Sequence, residues 1–235
     1  MLLFWSTALA APATVGELVA EMVAVAAADE LAPAVRADWH RLTARLALAD
    51  TPDALREYAR VRVAFEATRD GGLWGLKWAI TDREPTARFL WSGLLGWRGP
   101  DLTASGVTAI GECDELSAMF ASLARAMGVK EVGLFWPTSN HTVAVWTAAG
   151  AAGPVRVVVP TSQVFLEPGE TLGTQAFDAR TQRTIYRYGT RDLPLGAALS
   201  PELADRLTRS LGDTALPAEE LQRRRNARSE AAGGS

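Results

Sequence analysis

Gly111-Glu112-Cys113-Asp114-Glu115-Leu116 opens a stretch in which Leu116, Met119, Phe120, Leu123 and Met127 fall on one helical face. Gly128 supplies a natural helix stop. Cys113, the only cysteine in 235 residues, therefore stands at the mouth of an amphipathic helix. The segment Asn140-His141-Thr142-Val143-Ala144-Val145-Trp146 follows, with His141 placed 28 residues after the cysteine. The chain holds only two histidines. A lone thiol at a helix start, followed by a scarce imidazole entering an apolar strand, is the layout of a cysteine nucleophile and its base. The bland alternatives are a small buried cysteine and a satisfied structural histidine.

The sequence changes character on either side of that helix. Residues 132–136, 141–146 and 155–159 are short, β-branched runs punctuated by Pro137, Gly150, Gly153 and Pro154. They predict an antiparallel sheet, with residues 183–188 as a further candidate strand. Before the cysteine, Val15, Leu18, Val19, Met22 and Ala26 share one helical face, and Val35, Trp39, Leu42 and Leu46 share another. Thr51-Pro52-Asp53 is an N-cap with a first-turn proline, leading into Leu55, Tyr58, Val61 and Phe65. Gly71-Gly72 ends that helix. Residues 73–98 carry Trp74, Trp78, Trp91 and Trp97 with no clear period. The fold expected is α+β: N-terminal helices, then a cysteine-bearing helix packed on an antiparallel β-sheet.

The expected organisation is a possible truncated signal segment over 1–13, a helical region over 14–105 and a core over 106–190. A helical extension over 191–217, including a short helix at 201–211, and a disordered basic tail over 218–235 complete it. The tail carries Arg223, Arg224, Arg225 and Arg228. Ala8-Leu9-Ala10 resembles the end of a secretory signal, but a basic start is missing; the alternative is a buried N-terminal segment. A periplasmic or secreted location follows from the first and a cytoplasmic one from the second. One cysteine cannot form an internal disulfide, so it does not fix the redox compartment.

Composition narrows the function classes. Hydrophobic residues make up 48% of the chain, enough for a real core, and most of the eight tryptophans are expected in it. A net charge of −3 gives no reason to expect nucleic acid. No apolar run approaches the roughly 18 residues of a membrane span. One cysteine and two histidines without close spacing do not make a zinc site, and no glycine-rich phosphate loop follows a strand, so no cofactor is expected. His40, beside Trp39 in a helical pattern, reads as structural or exposed. The richness in Ala, Arg and Leu suggests a high-GC bacterial source. Nothing sets an oligomeric state.

Three matching pieces occur in order: Gly111-Glu112-Cys113 with its helix to Met127-Gly128-Val129, Asn140-His141-Thr142-Val143-Ala144-Val145, and Val157-Val158-Val159-Pro160-Thr161. Together they resemble the transglutaminase-like branch of the papain-like cysteine enzymes. The resemblance covers about a quarter of the chain. It implies a Cys113 acyl-enzyme, His141 as its base, and a peptide or protein amide as substrate. A free thiol has a pKa near 8.5; a helix N-terminus and an adjacent imidazolium favour the thiolate. The family usually places a tryptophan some tens of residues ahead of the cysteine, near the oxyanion. Trp78, 35 residues upstream, is that candidate, with Trp74 next; the Cys113 N–H is a more generic donor.

The chain departs from the family at one point. Where an aspartate usually precedes Pro-Thr and orients the imidazole, this sequence has Val159. If the strand continues, Thr161 and Gln163 share the face of Val159. Gln163 is the chosen orienter, Thr161 the other local candidate and Asp178 a remote one. The leading expectation is cleavage or transfer of a peptide or isopeptide amide, with hydrolysis favoured because water needs no second groove. The alternative is a catalytically degenerate module that binds peptides or proteins, and a third is a structural domain with an inert cysteine.

Overall fold

A computed structural model describes residues 11–81, 86–98, 106–138, 141–162 and 193–233. The candidate strand at 183–188 lies outside them. The chain is mixed α+β, with helices on both sides of a small antiparallel sheet in sequence.

Helices α1 (Val15–Asp29), α2 (Pro33–Leu46) and α3 (Pro52–Thr68) form where the 3.6-residue period places them. Val15, Leu18, Val19, Met22 and Ala26 are all buried, as are Val35, Trp39, Tyr58, Val61 and Phe65. Thr14 and Thr51 cap α1 and α3 by accepting from the N–H groups of Glu17 and Ala54, each at 3.2 Å. Gly71 adopts φ 61°, a left-handed turn that suits glycine, just beyond α3.

A buried cation ties this bundle together. Arg62 of α3 pairs with Asp38 of α2. Its guanidinium also donates to the carbonyls of Thr214, at 3.1 Å, and Leu216, and reaches the Tyr58 hydroxyl at 3.3 Å. The nearby negative groups hold its pKa above the ordinary arginine value against the opposing effect of burial.

The tryptophan-rich stretch resolves into β1 (Leu76–Trp78) and α4 (Ala87–Gly96). β1 pairs in parallel with β2 (Ala109–Gly111), crossing the expected 105/106 boundary, and one continuous core draws residues from both sides of it. The cysteine-bearing helix α5 (Cys113–Ala126) follows directly, ending at Gly128 with φ 92°. It packs on β3 (Val132–Thr138) and β4 (His141–Gly150). The antiparallel order is β3-β4-β5, with β5 spanning Gly153–Val159.

The pleat divides the sheet cleanly. Ala144, Trp146, Ala148, Val157 and Val159 join the main core with α5, while Val143, Val145, Val158 and Phe135 form a separate cluster. Register shifts between Phe135 and Thr138, a segment containing Pro137, which has no N–H to give the ladder.

Helix α6 (Pro201–Leu211) buries Leu203, Ala204, Leu207 and Leu211. A short 3-10 turn, Gly212–Ala215, then leads to α7 (Ala218–Gly233). The expected disordered tail is thus corrected: the segment is helical. Leu221 is buried, and Arg224 pairs with Asp213 at 2.9 Å and Glu220 at 3.1 Å. Arginines spaced three and four residues from acids find helical partners that a net count of positive charge conceals. No described helix is long and apolar enough to cross a membrane.

Arg62→Ala should destabilise the fold by about 3–5 kcal/mol, because it removes the buried cation shared by Asp38 and the Thr214 and Leu216 carbonyls and leaves Asp38 only the mostly exposed Arg41. The urea unfolding midpoint measures this, and an unchanged midpoint would remove Arg62 from the centre of the bundle.

Candidate active site

The start of α5 is held by its own carboxylates. Glu112 is the N-cap, and its N–H donates to Glu115 Oε2 at 2.9 Å, one half of a capping box. Glu112 Oε1 accepts from both the N–H and the hydroxyl of Thr81, each at 2.7 Å. Glu115 Oε1 accepts from the Thr86 N–H at 3.1 Å. Two of the three acids flanking the cysteine are therefore engaged in shaping the helix entrance. The third, Asp114, accepts from the Glu115 N–H at 3.0 Å.

The half-buried Cys113 thiol faces backbone donors. Burial pushes its pKa up. The Thr142 N–H opposes that most strongly, the Asp114 carboxylate adds to the rise, and the N–H groups of Asp114 and Cys113 itself counter it; the net direction is upward. The helix start thus supplies the donors expected around a thiolate, but loss of water outweighs them. Burial lowers the pKa of His141. Both shifts favour a neutral thiol and a neutral imidazole at rest, rather than the ion pair anticipated from the helix dipole.

Thr142 is the joint between helix and sheet. Its N–H acts to lower the pKa of the Cys113 thiol, and its carbonyl accepts from the Ser117 hydroxyl at 3.3 Å. Cys113 and Ser117 are four residues apart on α5 and so share a face. Ser117 also bonds the Thr161 hydroxyl, at 2.8 Å. The structure therefore brings Cys113 to the residue adjoining His141. His141 is itself buried and opens β4 opposite Thr138.

Trp78 ends β1 and is half-buried. It pairs with Gly111, two residues before Cys113, and its N–H donates to Asp70 Oδ1 at 2.7 Å. The Asp70 N–H in turn donates to the Thr161 carbonyl at 2.6 Å. Trp74, by contrast, is sealed in the core. His40 is mostly exposed on α2, with Nδ1 at 3.4 Å from Asp50.

The orienter fares differently. Val159 is fully buried and pairs with Ala144 on the α5 side of the sheet. Thr161 shares that side and gives its hydroxyl to Ser117. His141 stands at the first position of β4, beside the register shift between Phe135 and Thr138. Extending the face of Val159 leads to Ser117 of α5. Gln163 and Asp178 lie outside the described residues. Among the described residues no group of three or more His, Cys, Asp or Glu side chains could hold a metal ion.

Sequence reasoning missed Ser117 and Thr142. The spacing of Ser117 from Cys113 was a usable signal; for Thr142, whose backbone does the work, no side-chain pattern exists. Compared with protein-family models, curated proteins and solved structures, the chain matches none.

Ser117→Ala leaves the Thr142 carbonyl and the buried Thr161 hydroxyl short of a partner. A loss of about 1–3 kcal/mol in thermal or urea unfolding is expected. A neutral substitution would mean that the helix–sheet joint does not depend on this hydroxyl.

Proposed function

We propose that this protein is a transglutaminase-like cysteine enzyme that cleaves or transfers a peptide or isopeptide amide through an acyl-enzyme on Cys113. The observation that carries the reading is the setting of the thiol: it stands at the N-terminus of α5, against the backbone N–H of the residue next to the buried His141. The position of Trp78 beside Gly111 supports the same reading. So does a helix packed on an antiparallel sheet in the order that the resemblance implies.

The chemistry follows from the neutral resting pair. His141 accepts the thiol proton as sulfur bonds to the amide carbonyl carbon. The N–H groups at the start of α5 are the donors for the developing oxyanion, with Trp78 in the role that the resemblance gives it. The carbon–nitrogen bond then breaks, and the imidazolium returns its proton to the leaving amine. Water or a second amine resolves the thioester and regenerates the thiol.

The second reading is a degenerate module that binds peptides without reacting. Its support is Val159, a core residue at the place where the resemblance calls for an aspartate. Incubation with casein and a fluorescent primary amine reads transfer; release of ammonia or new peptide termini reads hydrolysis. Cys113-dependent product in any of these supports the enzyme. Its absence across a broad peptide library, with peptides nevertheless retained, establishes the binding module.

Cys113→Ser should abolish reaction while barely changing packing, because serine is nearly the same size and a much weaker nucleophile. His141→Ala should do the same, and the double variant should be little worse than either, since the two act as one unit. Iodoacetamide labelling of Cys113 should climb with pH into the alkaline range without levelling at pH 6–7. The sign follows from a thiol pKa raised above its usual value and an imidazole lowered below its own. A plateau at neutral pH would instead reveal a preformed thiolate–imidazolium pair.

A further inference from the structure

The N–H groups that follow β1 alternate in direction, as those of a strand do. The Trp78 N–H donates to Asp70 Oδ1 at 2.7 Å, and the Leu76 carbonyl accepts from the Gly71 N–H at 2.8 Å. Residues 70–71 thus close one edge of the strand as far as Trp78. The Ala79 N–H turns the other way, to the Gly111 carbonyl at 3.0 Å. The Thr81 N–H and hydroxyl follow it, both reaching Glu112 Oε1 at 2.7 Å. Ile80 therefore lies between two anchored neighbours, with its own N–H turned to the edge that Asp70 serves at Trp78.

That edge is open at Ile80. Its N–H and carbonyl enter no hydrogen bond among the described residues. Its side chain is 81% exposed, the highest value among their exposed large apolar groups. An open strand edge is a template for another strand. This one adjoins the site: Gly111 and Glu112, which hold Ala79 and Thr81, immediately precede Cys113.

We propose that Ile80 is the substrate-docking edge of the Cys113 site, its N–H and carbonyl pairing with the backbone of one residue of an extended peptide. The inference rests on the acyl-transfer reading and names its substrate class: a peptide amide in extended conformation, read through its main chain. The bonds at Ala79 and Thr81 hold the edge in place before the peptide arrives, so little ordering is required on binding. The added strand also covers part of the exposed isoleucine.

The test uses the full-length protein. Cys113 is its only thiol, so alkylation reads the site directly. The probes are iodoacetamide and two alanine tripeptides, one with an iodoacetyl group at its amino end and one with a chloromethyl ketone at its carboxyl end. Each rate is divided by that probe's rate with free cysteine. At least one peptide probe should label Cys113 about 10-fold faster than iodoacetamide, the worth of two modest hydrogen bonds. Ile80→Pro deletes an N–H that serves no bond in the fold, and should return this ratio to about 1. Ile80→Ala keeps the N–H and should retain most of the preference; circular dichroism confirms that each variant is folded. In the unaltered protein, N-methylation of the probe amides should abolish the preference as well. Equal corrected rates for all probes overturn the proposal, as does a preference that survives Ile80→Pro or N-methylation, or one that vanishes with Ile80→Ala. Alkylation needs no turnover. A preference lost with Ile80→Pro in a protein that never cleaves or transfers an amide would therefore sink the acyl-transfer reading alone, whereas amide turnover indifferent to Ile80→Pro would sink this inference alone.

Discussion

The peptide at Thr142 is the constraint on which the site depends. At the start of β4 its N–H acts on the pKa of the Cys113 thiol and its carbonyl accepts from the Ser117 hydroxyl. Both partners belong to α5, so a helix stands in for the strand that ends at Val159. Hydrogen bonds of this kind contribute about 1 kcal/mol each, but unmade in a buried place they cost more. Ser117, one turn along α5 from Cys113, thus ties the start of the helix to the strand that His141 opens.

A chain of contacts extends this joint on both sides. Ser117 reaches Thr161, the Thr161 carbonyl takes the Asp70 N–H, and the Asp70 carboxylate takes the Trp78 N–H. Trp78 pairs with Gly111, which precedes Glu112 and Cys113. The loop after α3, the end of β5, the small parallel pair and the start of α5 are thus linked by one chain of hydrogen bonds. Farther away, Arg62 fixes the mutual placement of α2, α3 and the turn before α7. That network belongs to the scaffold, because its groups are satisfied among themselves.

The electrostatics set the style of chemistry. A helix N-terminus and three backbone N–H groups favour a thiolate, yet burial carries the thiol the other way, and burial also discharges the imidazole. A neutral pair needs orientation more than it needs charge.

Much of this was legible in the sequence, and the reason is periodicity. The apolar stripe from Leu116 to Met127 placed Cys113 at a helix mouth, and the first three helices read off Val15, Trp39 and Phe65 in the same way, because a local repeat is all that an amphipathic helix requires. The β-branched runs announced the sheet, and the spacing to His141 announced the candidate pair. Residues 73–98 stayed opaque because β1 spans only Leu76–Trp78 and needs β2 as a partner, a pairing no local pattern encodes. The tail read as disordered because its charge was visible and the Arg224–Asp213 contact was not. Which face of the sheet meets the helix was a tertiary matter: alternation is written in the sequence, but the choice of side is made by where α5 packs. Only that packing sends Ala144, Trp146 and Val159 into the main core and leaves Val143, Val145 and Val158 in a separate cluster, and only it turns Thr161 to Ser117.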